Sequence, residues 1–291
     1  MLHRYFSSHA AETIRSKLLR VSLITSFNDP FEFLYYPEVN LTIGNTKTFL
    51  KRQMLKSDEF YRTCQQRFPH IKNKKDFKKF VAENRDLLTE ELREGYQNIA
   101  PLSLEDRERM VNTSLRVICF SNSDLNRFDE ILVWSHYADS HKGVRLGFEF
   151  PATALPFTLT PVVYRENRVN IDFGKTIGVT SPQKLMDALL EALKVKSVAW
   201  KYEQEFRIII RLEDCVPIQN EAGDTDYYMR FHPSWLKTVD FGARCLPEVK
   251  NEMISILKQN YPHVVTSSAA CHATEYALRY VRDERSLPLN P

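Results

Sequence analysis

The segment Tyr202-Glu203-Gln204-Glu205-Phe206-Arg207 alternates acidic, aromatic and basic side chains. In an extended strand, neighbouring side chains point to opposite faces. Glu203, Glu205 and Arg207 would then share one face, and Phe206, Ile208 and Ile210 the other. Carboxylates about 7 Å apart on one face raise each other's pKa or divide roles. One could steady a cation or hold a ribose hydroxyl while the other polarises a nucleophile. Arg207 could lower their pKa values by pairing, or bind a phosphate bidentately. The same face also reads as an ordinary strand surface with cross-strand ion pairs.

A second cluster runs from Trp134 through Ser135, His136 and Tyr137 to His141-Lys142-Gly143. On a helix Trp134 and Tyr137 lie over one another, which makes this segment a candidate pocket wall. His136 reads equally as a core histidine with satisfied ring nitrogens. His136 and His141 are five apart, a poor pair for a metal on a helix, so no metal is expected. Gly143 suits a helix C-terminal cap. Phe27-Asn28-Asp29-Pro30-Phe31-Glu32 has the chemistry of an Asx-turn that caps a helix starting at Pro30. His3-Arg4-Tyr5 is a polar triplet in a short terminal strand.

The elements that must position these residues are mixed. Strands are predicted at 2–6, 21–24, 116–121, 143–150, 159–164, 206–210, 227–231, 236–241, 264–266 and 276–281, and helices at 8–19, with Ser8 as its cap, 131–138, 182–195 and 247–259. The strand at 143–150 alternates Val144, Leu146, Phe148 and Phe150 against Arg145, Gly147 and Glu149, the pattern of a half-buried strand. This mixture predicts an α+β fold: a central, mostly antiparallel or mixed sheet with flanking helices.

Residues 45–113 change character and are predicted as an inserted helical lobe, leaving 1–44 and 114–291 as the α+β core domain. Within the lobe, residues 47–79 hold eleven Lys/Arg against three Asp/Glu, and residues 83–109 hold four Arg against eight Asp/Glu. Two mutually attracting solvated faces explain this. So does a basic patch at 47–79 for a protein or nucleic-acid partner. Phe49, Phe60, Tyr61, Phe68, Phe77 and Phe80 are expected to form the lobe's core.

Over the 291-residue chain the net charge of +3 is too small to demand a nucleic-acid or membrane partner. The five cysteines form no C-x-x-C pair, which fits reduced thiols and no structural zinc. The first residues lack the apolar run of a signal peptide, and no stretch approaches a membrane span. The expectation is a cytoplasmic protein with no membrane contact. Neither a G-x-G-x-x-G nor a Walker A motif is present.

Taken in order, Arg4-Tyr5, Phe27 to Glu32, Cys119-Phe120-Ser121, Trp134 to Phe148, Val162-Val163-Tyr164 and Trp200 to Arg207 resemble a large bacterial family of unknown function met in mobile-element and phage-defence neighbourhoods. The order Arg4 (or His3), Ser121, Glu203-x-Glu205 also resembles the arginine–serine–glutamate ADP-ribosyltransferases, although Ser121-Asn122-Ser123 stands where that family has S-T-S. This second resemblance implies NAD as substrate. Glu205 would be the catalytic carboxylate, with Glu203 positioning the acceptor and His136 as a further catalytic candidate. Arg4, Tyr5, Ser121, Trp134, Ser135, Tyr137, Tyr164 and Arg207 would bind the nucleotide, with Trp134, Tyr137 or Tyr164 stacking on nicotinamide.

Three functions follow as expectations. The first is a cytoplasmic, toxin-like effector that transfers ADP-ribose or hydrolyses NAD, with a role in anti-phage defence. The second is a ribonuclease-like toxin using His136 or His141 and the basic lobe. The third is a non-enzymatic sensor that grips a nucleotide through Arg207, Arg4 and Lys142.

Overall fold

The computed structural model describes residues 1–7, 9–33, 36–38, 58–88, 90, 112–151, 157–172, 187 and 190–283. The chain forms two compact units. One comprises Met1–Glu32, Glu108–Glu166 and Lys196–Pro291, the other Phe33–Arg107 and Asn167–Val195. The second unit thus draws in residues 167–195 besides most of the expected insertion.

The first unit is built on an eight-stranded sheet. Its strands are Leu2–Phe6 (β1), Leu115–Asn122 (β4), Val144–Phe148 (β5), Thr158–Pro161 (β6), Glu205–Arg211 (β10), Leu236–Phe241 (β13), Val265–Cys271 (β14) and Leu278–Arg282 (β15). Their order is β15-β14-β13-β5-β1-β4-β10-β6. Neighbours are antiparallel except β13 and β14, so the sheet is mixed and the fold is α+β. Leu18–Arg20 (β2), Val216–Gln219 (β11) and Thr225–Arg230 (β12) make a three-stranded antiparallel sheet. Val163–Arg165 (β7) and Val195–Ser197 (β9) are short strands.

One face of the large sheet is apolar. Leu2, Ile118, Phe120, Leu146, Phe148, Ile208, Ile210, Val239 and Phe241 belong to one buried cluster with Ala10 and Ile14 of Ala10–Ser16 (α1) and Met253, Ile256 and Leu257 of Pro247–Asn260 (α5). Removing that apolar area from water is the main drive for the unit. The opposite face is polar, and Arg127–Tyr137 (α4) packs on it: the Trp134 ring meets Tyr5 edge-on at 5.1 Å. Asn126 caps α4 by accepting from the Phe128 and Asp129 backbone N–H groups.

Several expectations change here. The helix expected over 8–19 stops at Ser16, and its proposed cap Ser8 lies outside the described residues. Lys17 turns left-handed, and Leu18–Arg20 pair with β12. The strand predicted at 21–24 is therefore displaced, leaving one bridge from Ser22 to Val117 and a 3-10 turn at Ile24–Ser26. The strand β5 is buried on both faces, because the α4 side covers Arg145. Asp29 Oδ1 accepts from Phe31 N at 2.9 Å, the expected Asx-turn, but only turn structure follows Pro30. Gly143 does not take a left-handed cap conformation. Asp139, Ser140 and His141 do, and Gly143 is needed because a Cβ there would stand 1.9 Å from the Phe6 carbonyl oxygen. Most of the helix expected at 182–195 lies outside the described residues.

In the second unit Asp58–Arg67 (α2) and Lys74–Glu83 (α3) bury Cys64, Ile71, Phe77, Phe80, Val81 and Leu88, with Tyr61 and Phe68 packed against them. Phe49 and the Phe60 side chain lie outside the described residues. Tyr36–Glu38 (β3) and Asn170–Asp172 (β8) pair in parallel.

Candidate functional site

The polar face of the sheet carries one register line across three adjacent strands: His3 of β1 opposes Ser121 of β4, and Ser121 opposes Glu205 of β10. On that line and beside it lies a cavity of about 240 Å³, lined among others by His3, Tyr5, Asn28, Ser121, Tyr137, Lys196, Glu203 and Glu205. Antiparallel pairing fixes this line, since a one-residue slip of any of the three strands would send its own side chain to the apolar face.

The floor of the cleft is a buried ion network. Glu203 is not on the strand: it ends a 3-10 turn, Val198–Glu203, and Gln204 turns left-handed at φ 43° before β10 begins at Glu205. The two carboxylates are joined by Lys196, whose ammonium stands 2.8 Å from Glu203 Oε2, 3.2 Å from Glu205 Oε2 and 3.0 Å from Glu32 Oε1. Arg207 grips Glu205 with two donors, Nε to Oε1 at 2.7 Å and Nη2 to Oε2 at 3.0 Å, and reaches Glu32 Oε2 at 2.6 Å. Tyr137 donates to Glu203, and Tyr164 accepts from the Glu205 backbone N–H at 2.8 Å. All five charged side chains are at most 6% exposed.

Burial opposes ionisation in each acid, and the neighbours decide the outcome. Burial raises Glu205, but Arg207, hydrogen bonding and Lys196 outweigh it and bring its pKa down to about 2. Glu203 is raised, because burial and the nearby Glu205 outweigh Lys196 and Tyr137. Glu32 is raised, chiefly by burial. The pair facing the cleft is thus split into a persistent anion and a carboxyl that holds a proton more tightly.

His3 is 4% exposed, and neither ring nitrogen has a hydrogen-bond partner. Burial, the Arg145 charge and the chain's amino terminus lower its pKa to about 3, so the ring is neutral. Its neighbour Gly147 makes room: a Cβ there would stand 2.2 Å from Thr238 Oγ1 and 3.2 Å from His3 Cδ2.

The structure brings Arg4, Tyr5, Ser121, Tyr137, Glu203 and Glu205 to the cleft. It holds Arg207 and Tyr164 behind the lining, with Arg207 1% exposed and engaged with carboxylates. Trp134 is fully buried, donates to Tyr280 Oη at 2.8 Å and stacks on His141, so it offers no free face to a ligand ring. Ser135 donates to the Ile131 carbonyl and meets His141 Nε2 at 3.0 Å. His136 is exposed and pairs with the Tyr202 hydroxyl at 2.8 Å, away from the cleft lining.

Lys196 and Glu32 are the members that sequence reading missed. Glu32 was seen only as the end of a turn motif. Lys196 was hidden at the end of an expected helix, where a lysine is an ordinary surface residue. The signal available was its place in Val195-Lys196-Ser197-Val198, an apolar-flanked run just before the acidic pair.

Among the described residues no cluster of His, Cys, Asp or Glu is arranged to hold a metal, and no helix is long and apolar enough to cross a membrane. No curated protein and no solved structure matches the chain. Residues 133–208, which span α4 to the middle of β10 and contain Tyr137, Lys196, Glu203, Glu205 and Arg207, match the family described as a protein of unknown function, DUF2971.

Proposed function

We propose that this cleft cleaves the bond between nicotinamide and ribose in NAD, passing the ADP-ribosyl group to an acceptor or to water. The reading rests on the register line His3–Ser121–Glu205 across three neighbouring strands. That line repeats, side by side in space, the order of a basic or imidazole residue, a serine and a glutamate that the sequence carries far apart.

The chemistry needs little acid catalysis. Nicotinamide leaves with the bonding electron pair and loses its positive charge, while C1′ of the ribose becomes cationic. Glu205, kept ionised by Arg207 and Lys196, supplies a fixed negative charge for that cation without reorganising. Glu203, with its raised proton affinity, accepts the proton that the incoming hydroxyl or water releases as it bonds to C1′. The neutral His3 offers one donor and one acceptor, which suits a ribose diol. In this reading the nicotinamide–ribose half enters the cavity and the rest of the nucleotide extends outward.

The separation of His136 from the cleft lining, and the packing of His141 on Trp134, leave the ribonuclease reading without either of its two histidines at the site. The test is NAD turnover by the purified chain. Glu205→Gln and Ser121→Trp are each expected to lower it by at least a hundredfold, with the fold checked by circular dichroism. Turnover unchanged in a folded Glu205→Gln protein overturns the reading.

A further inference from the structure

Three carboxylates and two cations share the floor of the cleft: Glu32, Glu203 and Glu205 against Lys196 and Arg207. His3, which lines the same cleft, is neutral. Three acids against two bases leave one carboxylate of the floor without a countercharge of its own. Burying an uncompensated carboxylate is costly, so the empty cleft keeps a proton in its place.

We infer that the cleft is selective for a cationic ring, and that binding such a ring displaces the proton held by Glu203. This deepens the NAD reading and rests on it for the choice of ring: a pyridinium in place of its neutral counterpart. Glu32, Glu203 and Glu205 all line the cleft, but Arg207 bonds Glu32 and Glu205 and leaves Glu203 to Lys196 alone, so Glu203 is the acid concerned. The groups facing Glu203 are Lys196 from β9, Tyr137 from α4, Tyr164 from β7, Glu205 from β10 and Tyr202 from its own turn. Of these only Lys196 is cationic, and it is shared with Glu32 and Glu205. A ligand cation would therefore be the first positive charge to serve Glu203 alone. A second, independent feature marks the cleft as a binding site: the buried His3 ring lines it with both nitrogens unpartnered, an unmet demand that a ligand would fill.

The sign of the linkage follows. Glu203 has a raised pKa in the empty cleft, and a bound cation returns it toward the ordinary carboxylate range. Between those two values binding releases up to one proton, and affinity rises by up to tenfold per pH unit. Above the raised value, release stops and affinity levels off.

The experiment is a titration of the whole chain with 1-methylnicotinamide and with nicotinamide, a cation and its neutral counterpart, by NMR and calorimetry between pH 5 and 8. Calorimetry in two buffers of different ionisation enthalpy counts protons. The expected result is at least tenfold tighter binding of the cation, strengthening with pH wherever protons are released and levelling off where the release stops. Nicotinamide should show neither trend. Glu203→Gln should erase the preference and the proton release. Equal affinities, pH-independent binding, no binding of the cation at millimolar concentration, or full preference in folded Glu203→Gln each overturns the inference. Neither probe needs to be turned over, so a chain that prefers the cation yet leaves NAD intact would sink the proposed reaction and keep this inference.

Discussion

Arg145 and Arg207 stand on the same face of one sheet, both buried and each bonded to two carboxylates, yet their surroundings differ. Arg145 meets Asp240, its direct cross-strand partner, at 2.9 Å and Glu130 of α4 at 2.6 Å. Tyr280 donates to the same Glu130 oxygen that Arg145 uses, Ser267 donates to the other oxygen of Asp240, and the rings of Tyr280, Trp134 and Tyr5 lie 4.6–5.9 Å from the guanidinium. Arg207 instead shares its acids with Lys196, and that lysine extends the network to a third acid at a cavity. The first network ties α4 to the sheet and is sealed by aromatic rings. The second is assembled from four separate stretches of chain and ends at open space. Each network holds one acid more than its bases, but only in the second do acids of the network line a cavity.

The largest effect should come from removing either guanidinium. Arg145→Met and Arg207→Met each leave two buried carboxylates without their main partner, a loss of about 3–5 kcal/mol. Urea unfolding followed by circular dichroism measures it. A loss below about 1 kcal/mol in either variant would mean that its network is hydrated in solution and that the parallel between the two is false.

His3 lies between the two networks and should set the acid sensitivity of the first unit. Its folded pKa of about 3 is below the ordinary value of 6.5. The unfolded chain therefore binds the proton first as pH falls. Stability from the neutral ring is complete above about pH 6.5 and is lost as pH drops toward 3. At about 1.4 kcal/mol per unit, the span is on the order of 5 kcal/mol. His3→Gln should flatten the stability profile between pH 6.5 and 4 while lowering stability at pH 7.5 by less. A wild-type profile already flat over that interval would show that the ring is solvated and protonates in place, so it could not be the neutral hydrogen-bonding group of the cleft.

The sequence and the structure agree where periodicity was strong and local. Strands at 116–121, 206–210 and 236–241 and the helix at 247–259 all correspond to observed elements, since alternation and helical spacing report directly on a buried face. Disagreement came where long-range pairing overrode local pattern. Leu18 and Leu19 look like the end of an amphipathic helix, yet β12 recruits them into a sheet. Arg145 looks like the solvent side of an alternating strand, yet α4 and β13 bury it. At the site, Glu203 and Glu205 were visible because they are adjacent in sequence. Lys196 and Glu32, which give those acids their electrostatic character, come from elsewhere in the chain and carry no local mark. Trp134 shows the same limit: an aromatic in a polar-rich segment suggests a binding platform, and only packing shows that Tyr5, His141 and Tyr280 contact its ring.

Glu203→Gln gives the smallest effect and the sharpest contrast between the two networks. Burial and Glu205 raise the Glu203 pKa, so its contribution favours the fold below the ordinary carboxylate range and is lost as pH rises through the raised value. Above the ordinary carboxylate range this acid is a cost to the folded state, and a neutral amide of the same shape removes that cost while still accepting from Lys196. The melting temperature of Glu203→Gln should be equal to or above that of the wild type at pH 7.5, with the gain shrinking as pH falls toward the ordinary carboxylate range. The matching change in the sealed network, Asp240→Asn, removes an acid that Arg145 uses fully and should lower the melting temperature at pH 7.5. If both amides destabilise alike, Glu203 is as fully compensated as Asp240, and the proton exchange proposed for the cleft fails.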